Sequence, residues 1–270
     1  MLNVHEIDKT FNAGTLNEVQ ALRGVNFSLS EGEFVCVLGT NGSGKSTALN
    51  AIAGTFPLDK GKIIVAGTEI TGWPEHRRAK LIGRVFQNPF SGTAPTMSIE
   101  ENIALAARRG CSRGFGWGLP AERVSEFKTR IKTLNMGLED RLENPIGKLS
   151  GGQRQALTLL MATWLKPKLL LLDEHTAALD PKTAAKVIEL TETIIQRDNL
   201  TTLMVTHSMQ QAVNLGNRII MMHQGKIVYD FRGSDKQRLK VNDLLALFDE
   251  IRRKEQIDPS VAELLRKEYV

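Results

Sequence analysis

Cysteine is nearly missing from this chain: Cys36 and Cys111 are the only two in 270 residues. One sits in an apolar run and the other in a glycine-rich stretch. A pair placed that way argues against a disulfide framework and against a sulfur-ligated metal site. Long apolar runs are missing too. No stretch reaches the roughly 20 residues that cross a bilayer, so no membrane span is expected here. The first residues carry His5, Glu6, Asp8 and Lys9, so no secretory signal is expected and the protein should stay on the cytoplasmic side. Also missing is a basic run with interleaved aromatics. The net charge of +5 comes from interspersed signs, and the densest cluster, Arg252-Arg253-Lys254, is flanked by Glu250 and Glu255. A nucleic-acid partner is therefore not expected. There is no internal repeat and no low-complexity linker. With 41% hydrophobic residues the chain can still bury a sizeable core.

What is present is organised around Gly39-Thr40-Asn41-Gly42-Ser43-Gly44-Lys45-Ser46-Thr47. An apolar run, 34–38, precedes it and reads as a buried strand. Residues 48–53 follow as a helix. Strand, glycine-rich turn, Lys-Ser and helix form a phosphate-binding P-loop in its required context. Glycines let the backbone approach phosphates, and main-chain N–H groups at the helix start meet the negative charge. Lys45 would reach the β- and γ-phosphates, and the Ser46 hydroxyl would ligate Mg²⁺. The alternative, a plain strand-helix turn with a surface lysine, does not explain the full match.

Other segments fit around this loop. Residues 2–11 and 25–29 alternate and predict an antiparallel layer. Phe11 ends the first arm, either stacking on an adenine ring or packing in a core. Residues 81–86 predict a strand ending at Gln87, which is either a turn residue or a reach toward metal and water. From 90 to 166 the texture is helical, with Ser98-Ile99-Glu100-Glu101 as a helix start and Ile99, Ile103, Leu105 and Ala106 as an apolar stripe. Residues 109–119 read as a loop and 121–134 as an amphipathic helix. Leu149-Ser150-Gly151-Gly152-Gln153 opens a further helix with Ser150 as N-cap, leaving open an ordinary capped helix or a second phosphate-binding surface. Residues 168–174 are a buried strand ending in Asp173 and Glu174, beyond whose carboxyl end ligands bind. Asp180-Pro181 starts another helix. Residues 201–205 form a strand that delivers His207 to the same edge. Residues 218–222 and 226–230 form a hairpin, with His223 as a turn residue. His5, His76 and His175 have no partner set. Helices are expected over 242–254 and 259–267.

In this order the motifs resemble those of an ABC-type ATPase, the nucleotide-binding subunit of an ABC transporter, across residues 1–232. They are the P-loop at 39–47, a Q-loop at Gln87, the signature 149–153, a Walker B strand with Asp173 and Glu174, a D-loop at Asp180 and a switch histidine, His207. The signature sets this family apart from other P-loop enzymes. The resemblance implies an α/β P-loop NTPase (RecA-like) fold: a parallel core from about 1–89 and 167–232, an antiparallel layer, an inserted helical subdomain at about 90–166 and a short helical tail, 233–270. It implies that ATP and Mg²⁺ bind, that Phe11 stacks on adenine, and that Ser46, Gln87 and Asp173 organise the metal. Glu174 resembles the general base, and His207 the γ-phosphate contact. Ser150, Gly151, Gly152 and Gln153, with Asp180, would act on ATP held by a second copy in a homodimer. Thr40, His175 and Ala177 depart from the usual residues, but none removes a group that hydrolysis needs.

The resemblance further implies transmembrane permease subunits encoded elsewhere, received on the surface near residues 87–100, and peripheral placement on the cytoplasmic face of the membrane. Residues 173–184 are similar to ATPases of tryptophan/tyrosine and related amino-acid uptake systems, which pair with a substrate-binding lipoprotein. Export, or a stand-alone soluble ABC ATPase, is the alternative.

Overall fold

The structure is a computed structural model that describes residues 1–110 and 121–256. Cys111, most of the expected 109–119 loop, the expected helix over 259–267 and the side chains of Arg252 and Lys254 lie outside the described residues. The elements in chain order are β1 (Leu2–Phe11), β2 (Val19–Leu29), β3 (Phe34–Gly39), α1 (Lys45–Ala53), β4 (Lys60–Val65), β5 (Thr68–Glu69), α2 (Glu75–Arg78), β6 (Ile82–Val85), α3 (Ile99–Ala107) and α4 (Ala121–Lys132). A 3-10 turn (Ile146–Lys148) precedes α5 (Gly151–Thr163). Then come β7 (Leu169–Asp173), α6 (Pro181–Asp198), β8 (Thr201–Val205), α7 (Met209–Asn214), β9 (Arg218–His223), β10 (Lys226–Arg232), α8 (Gly233–Arg238) and α9 (Val241–Gln256).

Two sheets carry the strands. An antiparallel one has the order β2-β1-β4-β5. The other has the order β10-β9-β3-β8-β7-β6 and is parallel throughout except for β10. The antiparallel layer expected from the early strands is present.

The leucine run of β7 shows why a strand covered on both faces is apolar position after position. Successive side chains of a strand point to opposite faces. Leu169 and Leu171 enter one core, shared with α1 and the antiparallel sheet. Leu170 and Leu172 enter a second core, under α6, α7 and α9. In the same way β3 sends Val35 and Val37 to the first and Cys36 and Leu38 to the second. With both faces covered, no polar position is tolerated until the strand emerges at Asp173.

Between β6 and β7 the named elements of the described residues are all helical. They share a third core that includes Ile99, Ile103, Phe127, Ile131, Leu157 and Leu160. A capping box starts α3: the Ser98 hydroxyl accepts from Glu101 N at 3.1 Å and Ser98 N donates to the Glu101 carboxylate at 2.7 Å. The expected stripe on α3 holds for Ile99 and Ile103, with Ala106 partly buried against the same core. Leu105 turns outward and is 52% exposed, because a step of two residues on a helix rotates well off the buried face. Helix α5 contributes Leu157 and Leu160 to the third core and Leu159 and Ala162 to the second, so it is buried nearly all round.

Candidate active site

Parallel pairing brings four strand ends to one edge. Val85 lies beside Leu172, Asp173 beside Val205, and Val205 beside Val37. The loops leaving β6, β7, β8 and β3 carry Gln87, Glu174, His207 and the glycine-rich turn, and they open on that same edge.

The turn after β3 is shaped by close approaches. Gly44 has φ +96°, and a Cβ there would lie 2.6 Å from Ala21 O. Gly39 is extended, but a Cβ there would overlap Ser43 Oγ and Met222 O. Gly225, at the β9–β10 turn, donates to Ser43 O at 3.0 Å and backs the loop from outside. Helix α1 starts at Gly44 with no side-chain cap and no acidic residue in its first turn, so its leading N–H groups are unclaimed by side chains.

Lys45 is 5% exposed, and its ammonium donates to the carbonyls of Gly39 and Thr40, both at 2.9 Å. Burial pushes its pKa down, offset in part by Glu174 and Asp173. Ser43 Oγ is buried without a partner. A desolvated lysine, an orphaned hydroxyl and an uncapped helix start make a cradle whose chemistry suits a phosphate chain. Asn41 and Gly42 are exposed at its rim, and Thr47 is half-buried on the first turn of α1.

Across from the loop, Glu174 sits in left-handed backbone, φ +45°. This unfavourable conformation is held by its N–H, which donates to Val205 O at 2.9 Å. Its carboxylate is taken from two sides. Gln87 Nε2 donates to Oε2 at 3.2 Å, and His207 Nε2 lies 2.5 Å from Oε1. Burial raises the Asp173 pKa, while Arg84, the Ser46 hydroxyl bonded to it, Lys45 and His207 pull it down. One carboxylate and one hydroxyl, completed by phosphate oxygens and water, is the donor set that Mg²⁺ takes. Among the described residues no group of three His, Cys, Asp or Glu side chains could hold a metal without such help.

The remaining expected residues lie apart from this cluster. The signature forms a capping box: Ser150 Oγ accepts from Gln153 N and Ser150 N donates to Gln153 Oε1, both at 3.3 Å. Gln153 Nε2 donates to Met136 O. A Cβ on Gly151 or Gly152 would meet Leu179 or Thr183 of the same chain. No described hydrogen bond joins residues 150–153 to the glycine-rich loop. Asp180 caps α6 by accepting from Thr183 N at 3.1 Å, with Pro181 at the first helical position. Phe11 is half-buried, meets Phe56 edge-on at 5.2 Å, and belongs to none of the three cores.

Three residues near the site escaped the sequence reading. Arg84 donates to Asn50 and lies 3.9 Å from the Asp173 carboxylate. His175, expected to lack partners, is 2% exposed and pairs with Thr191 Oγ1 at 3.0 Å; burial lowers its pKa to about 4. Gln211 joins the loops beyond β7 and β8. The one signal for Arg84 was a charge inside an otherwise apolar strand; the other two depend on contacts that spacing does not reveal.

Known proteins agree with this geometry. A family model described as ABC transporter matches residues 22–177. The tyrosine transport ATP-binding protein of Clostridioides difficile is 39% identical over 249 residues, 92% of this chain and 99% of that one. The ABC transporter ATP-binding protein YtrE of Bacillus subtilis is 32% identical, over 83% of this chain and 96% of that one. Among solved structures, a dimeric post-hydrolysis state of the ATP-binding cassette MJ0796, bound to ADP and Pi, has a TM-score of 0.74 at 30% identity, covering 86% of this chain and 98% of that one. With the glycine-rich loop, buried lysine and strand-end carboxylates in place, this chain belongs to the ABC transporter family as one of its ATP-binding proteins, and it is an ATPase.

Proposed function

We propose that this chain is the ATP-hydrolysing subunit of a membrane importer for a small solute of the amino-acid class. The observation that carries the catalytic reading is the placement of Glu174: one carboxylate, held by Gln87 and His207, on the edge where Lys45 and Asp173 stand. The cargo class rests on the likeness to a tyrosine transport protein.

Lys45 and the N–H groups of residues 39–47 hold the β- and γ-phosphates, and Phe11 stacks on the adenine. Ser46, Asp173 and Gln87 are the Mg²⁺ donors; the ion neutralises phosphate charge when bound. Glu174 orients the attacking water and takes up its proton. His207 donates to the γ-phosphate, and with Lys45 it supplies positioned positive charge without covalent chemistry. Ser150, Gly151, Gly152, Gln153 and Asp180 complete the site of a second copy, which accounts for their separation from the loop of their own chain.

The division into a core at about 1–89 and 167–232, a helical subdomain at about 90–166 and a tail from 233 belongs to this reading. Among the described residues no helix is long and apolar enough to cross a membrane. The permease comes from other chains, and the subunit lies on the cytoplasmic face of the membrane. Phe90, 46% exposed with Arg154 stacked 3.6 Å from its ring centre, marks the surface that receives the permease. A substrate-binding lipoprotein delivers the cargo.

Size-exclusion chromatography of Glu174→Gln with saturating ATP tests the dimer and the base together. The expected result is an ATP-loaded dimer with turnover abolished; a monomer, or turnover near the parent rate, overturns the reading. Capture from membranes with soluble proteins and no polytopic partner would reject the transport role.

A further inference from the structure

We propose that Gln211 is a positioning residue that ties the loop after Glu174 to the loop carrying His207, so that the two move as one unit during hydrolysis. The inference rests on the roles proposed above for Glu174 and His207.

Glu174 and His207 belong to separate loops: Glu174 directly follows the last residue of β7, and Thr206 alone stands between the end of β8 and His207. Gln211, on the first turn of the short helix α7, reaches both. Thr206 Oγ1 donates to Gln211 Oε1 at 2.7 Å. Gln211 Nε2 donates to Thr176 Oγ1 at 3.2 Å. Thr206 stands one residue before His207, and Thr176 two residues after Glu174. Both threonines are buried, 4% and 7% exposed, so their hydroxyls have little water to turn to.

The rest of the network fixes the glutamine. Ser208 N donates to Thr206 Oγ1 at 3.1 Å, and Gln211 N donates to Ser208 Oγ at 3.2 Å, which caps α7. On the other loop, Glu174 N is bonded to Val205 O, the strand residue just before Thr206, and His175 is held by Thr191. Besides the direct contact of the His207 imidazole with the Glu174 carboxylate, the loops are thus joined through the main chain at Glu174 and through the Gln211 amide. The effect of these two joints is on the angle between the Glu174 carboxylate and the His207 imidazole, and an error of about 1 Å in such a pair slows chemistry steeply.

Gln211→Leu keeps the volume and removes both bonds. Steady-state ATPase assays of the assembled transporter should show kcat down about tenfold, the size of a lost hydrogen bond felt mainly in the transition state, with KM for ATP within about twofold of the parent. Thr176→Val should show the same split, Thr176→Ser should behave as the parent, and the double variant Gln211→Leu/Thr176→Val should be no slower than either single. Unchanged kcat in Gln211→Leu, kcat losses that multiply in the double variant, or KM rising in step with the fall in kcat would each overturn the proposal. If Gln211→Leu does not fold, the contrast between Thr176→Val and Thr176→Ser decides alone: equal kcat rejects the tie. A Glu174→Gln variant that still turns over would instead strike at the general base, and is read separately.

Discussion

Arg218 opens β9 and is 1% exposed, yet it lies in no catalytic loop. Its Nε and Nη2 donate to the two Asp230 oxygens at 2.6 and 2.7 Å, and Nη1 donates to Ser28 O at 2.6 Å and to Glu33 at 3.2 Å. One guanidinium thus joins β9, β10, the end of β2 and the turn before β3. Arg218→Met keeps the stem and removes every one of these donors. Deleting one partner of a buried ion pair costs about 3–5 kcal/mol. Asp230 retains Arg232 at 2.6 Å and is partly exposed, which places the loss near the lower end, about 3 kcal/mol. For a chain of this size that is about 6–12 °C in Tm. The loss should also depend on pH. Burial pushes the Asp230 pKa up, but hydrogen bonds from Arg218 and Arg232 outweigh it and bring the group from 3.8 to about 2. The folded value lies below the unfolded one, so this stabilisation is present above pH 4 and fades as pH falls toward 2. Discounted for partial exposure it is about 1 kcal/mol. Urea melts of parent and variant at pH 7 and pH 3 check both statements. The gap in stability should be wide at pH 7 and narrower at pH 3. A gap below about 1 kcal/mol at pH 7, or one that widens in acid, refutes the reasoning.

Lys45→Ala should weaken ATP binding about 10- to 100-fold, the worth of charge-assisted hydrogen bonds to phosphate; unchanged affinity by calorimetry would contradict the cradle. Gly44→Ala must hold φ +96° with a methyl 2.6 Å from Ala21 O, so it should destabilise the fold by at least about 1–3 kcal/mol in urea melts and lose nucleotide at the same time. The Cys36 thiol is fully buried and pushed up to about 12. The peptide containing it should stay unlabelled by iodoacetamide in the native protein at pH 8 and label fully in urea, as mass spectrometry will read. Leu105→Ser should shift Tm by no more than a degree or two, since surface changes fall within about 0.5 kcal/mol.

Much of the architecture is written in local patterns. The run at β7 could be read as a doubly covered strand because leucine fills every position until Asp173. Ser98 with Glu101 three residues on, and Asp180 before Pro181, announced helix starts whose caps need no distant partner. The phosphate loop was legible for the same reason: its strand, glycines, lysine and helix are contiguous. What stayed hidden is set by pairing between distant segments. Arg84 reaches Asp173 because β6 lies beside β7. His175 is buried because α6 turns Thr191 over it. Gln211 bridges Thr206 and Thr176, residues 30 apart in sequence that only the β7–β8 pairing makes neighbours. Leu105 is the converse case: its apolar side chain suggests a place in the α3 stripe, but its angular position on the helix faces outward.

Helix α5 belongs to two interiors at once. Leu159 and Ala162 are packed in the core beneath the parallel sheet, where α5 lies against β6, while Leu157 and Leu160 are packed among the helices. Its first turn displays Ser150 and the two glycines. A rod wedged between two interiors cannot tilt at its tip without disturbing the packing of both, so the exposed Ser150 corner is anchored as firmly as the sheet beneath it.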